Sequence, residues 1–164
     1  MLIVRKARSE DINQIVELLE TRRSELETWA PKFWKKSPKS AAISSAFFKT
    51  LLEDPNVTVL VAQDEAAIVG CLQYRPTFVP PVYEPGGTTW MVDDFVVSAN
   101  DWDGVGKAML SELEARTIDE TDGQLIFPVP KKDDAASGFF ETAGLMPTTV
   151  WWTHSKPDRG DEGV

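Results

Sequence analysis

A mixed α/β fold of the α+β type is predicted, with a mostly antiparallel central sheet and helices on both faces. Three observations predict it. Two apolar runs flank a short polar turn near the middle of the chain, which is a hairpin pattern. Strand and helix patterns alternate through the last third. A glycine-containing turn, Gly104-Val105-Gly106, joins one of those strands to a helix. The order read from the sequence is β-α-α-β-β-β-α-β-α-β.

Each element has a local reason. Leu2-Ile3-Val4 opens a strand. Ser9 is placed to cap a helix whose first turn holds Glu10 and Asp11. Ile12, Ile15, Val16 and Leu19 then recur at the spacing of one buried helical face. The segment 28–40 is irregular and holds Trp29, Pro31, Phe33, Trp34 and Pro38. A second helix is predicted over 40–52, with Ile43, Phe47 and Leu51 stacked at i+4 intervals towards the core. Asp54-Pro55-Asn56 stops it. Strands are predicted over 57–62 and 67–74, joined by Gln63-Asp64-Glu65. A connection rich in proline and glycine follows, and a strand over 88–97. The third helix buries Val105, Met109 and Leu113. A short strand over 124–129 is closed by Pro128 and Pro130. A fourth helix over 133–143 stops at Gly144. A last strand is predicted over 148–155, and 156–164 reads as a polar mobile tail. The unit 1–155 is expected to be a single domain.

Composition excludes several classes. The chain has 164 residues, 42% of them hydrophobic, which suits one globular domain with a full core. No apolar run is long enough to span a bilayer. Arg5, Lys6 and Asp11 interrupt any signal-peptide pattern, so a cytoplasmic location without membrane attachment is expected. The single cysteine, Cys71, excludes an intramolecular disulfide and a cysteine-rich zinc site. No cluster shows metal-ligand spacing, so no metal is expected. A net charge of −9 argues against a nucleic-acid partner. A homodimer is compatible with the sequence, dimers being the common assembly of soluble enzymes.

Four features carry candidate chemistry. Gly104 and Gly106 let backbone amides approach a ligand where a loop enters a helix, and the helix N-terminus adds positive potential suited to phosphate. The alternative is a plain tight turn. Asp93 and Asp94 are adjacent in a strand, so a regular strand sends them to opposite faces. Asp94 then shares a face with Trp90, Val92 and Val96, whereas a bulge would exchange the two carboxylates. Trp29, Phe33, Trp34 and Trp90 suit either the wall of an acceptor pocket or ordinary packing. Arg22, Arg23, Lys32, Lys35 and Lys36 form a basic cluster read as solvated surface before the second helix. Cys71 reads as a buried small hydrophobe, and nothing pairs it with His154, the one histidine.

In this order, the chain resembles the GNAT superfamily of acyl-CoA-dependent N-acetyltransferases. The resemblance rests on Val4-Arg5-Lys6-Ala7 with Asp11-Ile12, on the hairpin with Gly70, and on Asp93-Asp94-Phe95-Val96-Val97 followed by Gly104-Val105-Gly106. It also rests on Ala136, Phe139-Phe140 and Gly144-Leu145, and runs to about residue 155. The resemblance implies acetyl-CoA as co-substrate and direct transfer of its acetyl group to a primary amine on a small molecule or peptide. It implies that two central strands splay apart and that the pantetheine arm pairs with backbone near Phe95, Val96 and Val97. Amides of Asp103, Gly104, Val105, Gly106 and Lys107 would hold the pyrophosphate. Asp94 or Asp93 would take the proton from the amine.

Three departures accompany the resemblance. Asp101 stands where the family usually has Gln or Arg, and Asp103 adds a second negative charge. Phe140 replaces a frequent tyrosine acid, and a phenyl ring cannot protonate a thiolate. Asp133 matches an asparagine that contacts pantetheine. These residues favour an alternative, a non-catalytic CoA-binding or regulatory protein. A third reading, an interaction module that binds no CoA, is separated by thermal-shift titration.

Overall fold

The computed structural model describes residues 1–84, 86–117 and 123–154. The predicted tail lies outside the described residues. Five strands form one sheet in the order β1 (Leu2–Lys6), β2 (Thr58–Asp64), β3 (Ala67–Pro76), β4 (Thr89–Val97) and β5 (Gln124–Ile126). The first three pairings are antiparallel, and β4 pairs β5 in parallel. The parallel pair needs a crossover, which α3 (Lys107–Thr117) supplies. The helices α1 (Ile12–Trp29) and α2 (Ser40–Glu53) pack on one face of the sheet. The other core gathers α3 and α4 (Asp134–Thr142). Among the described residues no helix is long and apolar enough to cross a membrane.

Two cores follow from strand alternation. Val59, Val61 and Cys71 meet Ile12, Ile15, Leu19 and Phe48. Leu60, Leu72 and Tyr74 meet Met109 and Leu113 on the opposite face. Asp11 ties β1 to the start of α1. Its carboxylate accepts from Arg5 Nη1 and Nη2 at 2.7 and 2.8 Å and from the Arg8 amide at 2.7 Å. The Arg5 hydrogen bonds hold the Asp11 carboxyl below its ordinary range, against the opposing effect of burial.

α2 differs from expectation by its rotation. Ser44, Phe48 and Leu51 face the core, while Ile43 and Phe47 are exposed. Apolar residues at 47 and 48 made both faces compatible with the helical period. Polar contacts with α1 decide between them: Arg23 donates to Ser44 Oγ, and Glu20 accepts from Ser40 Oγ. A large side chain at 44 would leave no room for that pairing.

Gly70 marks close approach between β3 and α3. A Cβ there would lie 2.6 Å from Met109 Sδ and 2.8 Å from Val105 Cγ1. Gly70→Val is therefore expected to cost about 1–3 kcal/mol through overpacking. Urea denaturation checks this, and an unchanged midpoint would mean that the two elements can part freely.

Two expected strands are altered. β5 ends at Ile126 instead of 129, because Pro128 and Pro130 have no N–H to donate. The predicted last strand does not form: residues 148–154 carry no regular structure, and position 155 lies outside the described residues. Trp151 and Trp152 are 71% and 90% exposed. A run of β-formers becomes a strand only where a neighbour supplies the ladder, and among the described residues β5 pairs only with β4.

Candidate active site

The site begins with one extra residue in β4. Cys71 pairs with Val96, and Gln73 with Asp93, so Leu72 alone opposes both Asp94 and Phe95. This is a β-bulge. Asp94 takes φ +52°, a left-handed conformation that Asp and Asn tolerate better than most residues. Downstream, Phe95 and Val97 pack with Trp90 and Val92 on the α3 side, and Val96 packs on the α1 side.

The bulge overturns the expected placement of the carboxylates. Asp94 does not share the face of Trp90 and Val92. Its Oδ2 accepts from Gln73 Nε2 at 3.1 Å. Asp93 stands opposite Gln73 in the ladder, and its Oδ2 lies 3.5 Å from Arg75 Nε in a partly exposed pair. Both acids therefore stand on the same side of β4, not on opposite sides. Solvent reaches Asp94, while the neighbouring protein desolvates its carboxylate in part. Its pKa is raised, first by that desolvation and then by the charge of Asp93, against the lowering effects of Arg23 and the Gln73 hydrogen bond. A carboxyl shifted towards neutrality is suited to accepting a proton. Cys71 is different. It is fully buried, and burial pushes its thiol far above the ordinary range, so it is no nucleophile. His154 is exposed in the segment after α4.

Among the described residues, β5 pairs only with Thr89, Trp90 and Met91. Among the described residues, Phe95, Val96 and Val97 thus have no strand partner on the β5 side. A groove of about 450 Å³ runs between α1 and the end of β4, lined among others by Glu17, Arg22, Val96, Val97 and Trp102. A second space lies between β4, β5 and α4, against Phe95, Phe127 and Phe140. It measures only about 30 Å³. Arg22 and Trp102 line both spaces.

The chain then turns into α3. Ala99 and Asn100 both have positive φ, and Trp102–Gly106 forms a π-helical turn. Asp103, Gly104 and Lys107 are exposed around the head of α3, whereas Val105 and Gly106 are buried. A Cβ at Gly106 would lie 2.9 Å from Trp102 Cε3 and 3.7 Å from Phe139 Cζ, so this glycine makes room for an indole. The Gly104 amide donates to Asp101 Oδ1 at 2.9 Å.

Asp133 and Phe140 both line the slot. Asp133 is buried and caps α4 by accepting from the Ala136 amide at 2.9 Å. Its second oxygen accepts from Arg22. Phe140 packs 4.7 Å from Phe127 and 5.9 Å from Trp102, within a cluster that includes Phe95 and Phe139.

The four aromatics expected to wall one acceptor pocket are not brought together. Phe33 and Trp34 meet edge to face, ring centroids 4.5 Å apart, in the exposed α1–α2 connection. Trp29 holds the Arg22 guanidinium over its ring at 4.9 Å. Trp90 packs on Tyr74 at 5.5 Å in the core. The basic cluster is also dispersed. Arg22 and Arg23 belong to α1, and Arg23 and Lys36 both pair with Glu20. Among the described residues no group of three or more His, Cys, Asp or Glu side chains could hold a metal ion.

Sequence reasoning missed three residues at this site. Gln73 bears on Asp94 only through the bulge. Arg22 reaches Asp133 across 111 positions of sequence. Trp102 did leave a signal: a large aromatic inside a turn read as a phosphate cradle.

No protein-family model and no curated protein sequence matches the chain. Solved structures do match in fold. A mutant protein from Bacillus halodurans superposes with a TM-score of 0.80 at 16% identity, over 94% of this chain and 99% of that one. A predicted acetyltransferase from Clostridium acetobutylicum, solved with acetyl-CoA, gives 0.67 at 16% identity, over 94% and 96%. Ribosomal-protein-alanine N-acetyltransferase from Brucella melitensis biovar Abortus 2308 gives 0.62 at 17% identity, over 96% and 99%. The chain has the GNAT fold that its sequence resembles.

Proposed function

We propose that this protein is an acetyltransferase that moves an acetyl group from acetyl-CoA to a primary amine, with Asp94 as the general base. The observation that carries the reading is the bulge in β4. One extra residue holds a carboxylate of raised pKa beside a strand whose edge is open beyond β5. The groove along α1 and β4 supplies space for the pantetheine arm, and the backbone of Phe95, Val96 and Val97 supplies its edge. The likeness to named acetyltransferases supports the same reading through fold.

In the reaction the amine must lose a proton before it attacks the thioester carbonyl. Asp94 accepts that proton, directly or through water, while Gln73 holds the carboxylate in place. The new C–N bond forms as the C–S bond breaks. Phe140 offers no proton to the leaving thiolate, so water returns one. A second reading, a CoA-binding protein without turnover, is favoured by Asp101 at the Gly104 amide and by Phe140 beside the slot.

One experiment separates the two. Acetyl-CoA is presented with a panel of amines, amino acids and N-terminal peptides, and free thiol is followed. Amine-dependent thiol release is expected. Binding without release would favour the second reading, and absence of binding would remove both.

A further inference from the structure

We infer that the run 148–154 pairs as a strand with the outer edge of β5 in a second copy of this chain, so that two copies exchange these strands reciprocally. The pairing does not depend on the acetyl-CoA reading above.

The outer edge of β5 is longer than its ladder with β4. The Gln124 amide donates inward, to the Thr88 carbonyl at 3.1 Å. Backbone groups alternate in direction along a strand, so the amides of Leu125, Phe127 and Val129 face outward. Pro128 and Pro130 fall on inward positions, where their missing N–H groups end the ladder with β4 and take nothing from the outer edge. A residue before proline prefers extended backbone, which carries the strand direction through Phe127 and Val129. Burial agrees: Leu125, Phe127 and Val129 pack partly buried against the core, while Gln124, Ile126 and Pro128 are exposed. Among the described residues, the outward amides donate to no other backbone group. Exposed edges are commonly blunted by charged side chains, yet residues 124–129 carry no charge.

The run 148–154 is the matching half. It holds three threonines, a valine and two tryptophans, all strand-favouring types. It has no Asp, Glu, Lys or Arg, so the net charge of −9 does not oppose the pairing locally. Every residue from Met146 to His154 is exposed. The chain just before is pinned: Gly144 takes φ +86°, the Leu145 amide donates to the Phe140 carbonyl at 2.9 Å, and Leu145 packs on the core. Only Met146 and Pro147 separate that anchor from the run. One chain therefore presents two unpaired halves of a ladder, and its run does not cover its own edge. A second copy presents the same two halves. Reciprocal exchange satisfies both edges at once and closes the assembly at two chains.

The area suits a stable pair. Trp151 and Trp152 are adjacent, so an added strand sends one indole to each face of the sheet in any register. The indoles of two copies bring on the order of 600–1,000 Å² of surface, about half of a standard interface of roughly 1,600 Å². Val150 and Ile126, also exposed, add to it from both copies.

Light scattering after size exclusion is expected to give twice the 18.3 kDa of one chain. Proline variants then test the ladder. Adjacent residues send their N–H groups to opposite sides, so either Val150→Pro or Trp151→Pro removes a donor from the exchanged ladder. At least one of the two is expected to be monomeric. Both positions are exposed and outside regular structure, so circular dichroism should show the parent's fold in each. A photo-reactive benzoylphenylalanine at position 152 tests the exchange itself, in ordinary and isotope-labelled protein refolded together. Cross-links from that position to the peptide around Ile126 of the other isotope are expected. A parent that is monomeric at micromolar concentration overturns the proposal. So does a dimer that survives both proline changes. Cross-links confined to one isotope overturn it as well, because the strand would then lie on its own chain's β5.

Discussion

Asp94→Asn is expected to lower acyl transfer by about a hundred- to ten-thousand-fold, the usual contribution of a general base, without lowering the melting temperature. The substitution is unusually clean. Asn tolerates the positive φ that Asp94 adopts. Its side-chain oxygen can still accept from Gln73 Nε2. What disappears is the charge, and the folded protein disfavours that charge, since the Asp94 pKa is raised. A group with a raised carboxyl pKa weakens the fold at pH values above its unfolded pKa, so neutralising it relieves the fold. In the parent, kcat/KM should rise with pH as Asp94 loses its proton, and the Asn variant should lose that limb. Turnover at saturating acetyl-CoA and a thermal melt decide the matter. A fully active Asn variant would leave water as the proton acceptor.

The Arg22–Asp133 pair should produce the largest loss of stability. Their side chains are 13% and 4% exposed, and the pair joins α1 to the cap of α4. Arg22 also donates to Glu25 at 2.7 Å and lies over the Trp29 ring. Removing one member of a buried pair strands the other charge, which costs about 3–5 kcal/mol. Arg22→Ala is expected in that range by urea denaturation. Asp133→Ala should cost about 1 kcal/mol more, because the cap on Ala136 goes as well. The double variant should cost less than the sum, because it leaves no orphaned charge. A loss below about 1 kcal/mol for Arg22→Ala would show that solvent screens the pair as it screens surface pairs.

The fold was legible because its signals are local. The period of α1, the hairpin around Asp64 and the glycine turn before α3 each follow from short-range chemistry, and together they restrict the topology. The rotation of α2 was not legible. Ile43-Phe47 and Ser44-Phe48 fit the same period, and only the Arg23 and Glu20 contacts from another helix choose between them. The last strand failed for the converse reason: Val150, Trp151 and Trp152 have strand propensity but no ladder to join. At the site, the sequence marked the strand and the turn that border the groove. Period-two counting put Asp94 on the face of Trp90, because it does not register an inserted residue. It also left unseen the long-range pairing of Arg22 with Asp133 and the inward turn of Trp102.

Counted without Asp94, β4 is a regular strand. Met91, Asp93 and Val96 would follow one another on one face, and Val92, Phe95 and Val97 on the other, with every partner in β3 retained. Neither hydrophobic core uses the extra position. In genetic terms, the proposed general base is one codon laid into a strand that would otherwise be complete. Loss of that codon would straighten the strand, leave both cores filled and remove only the proposed base.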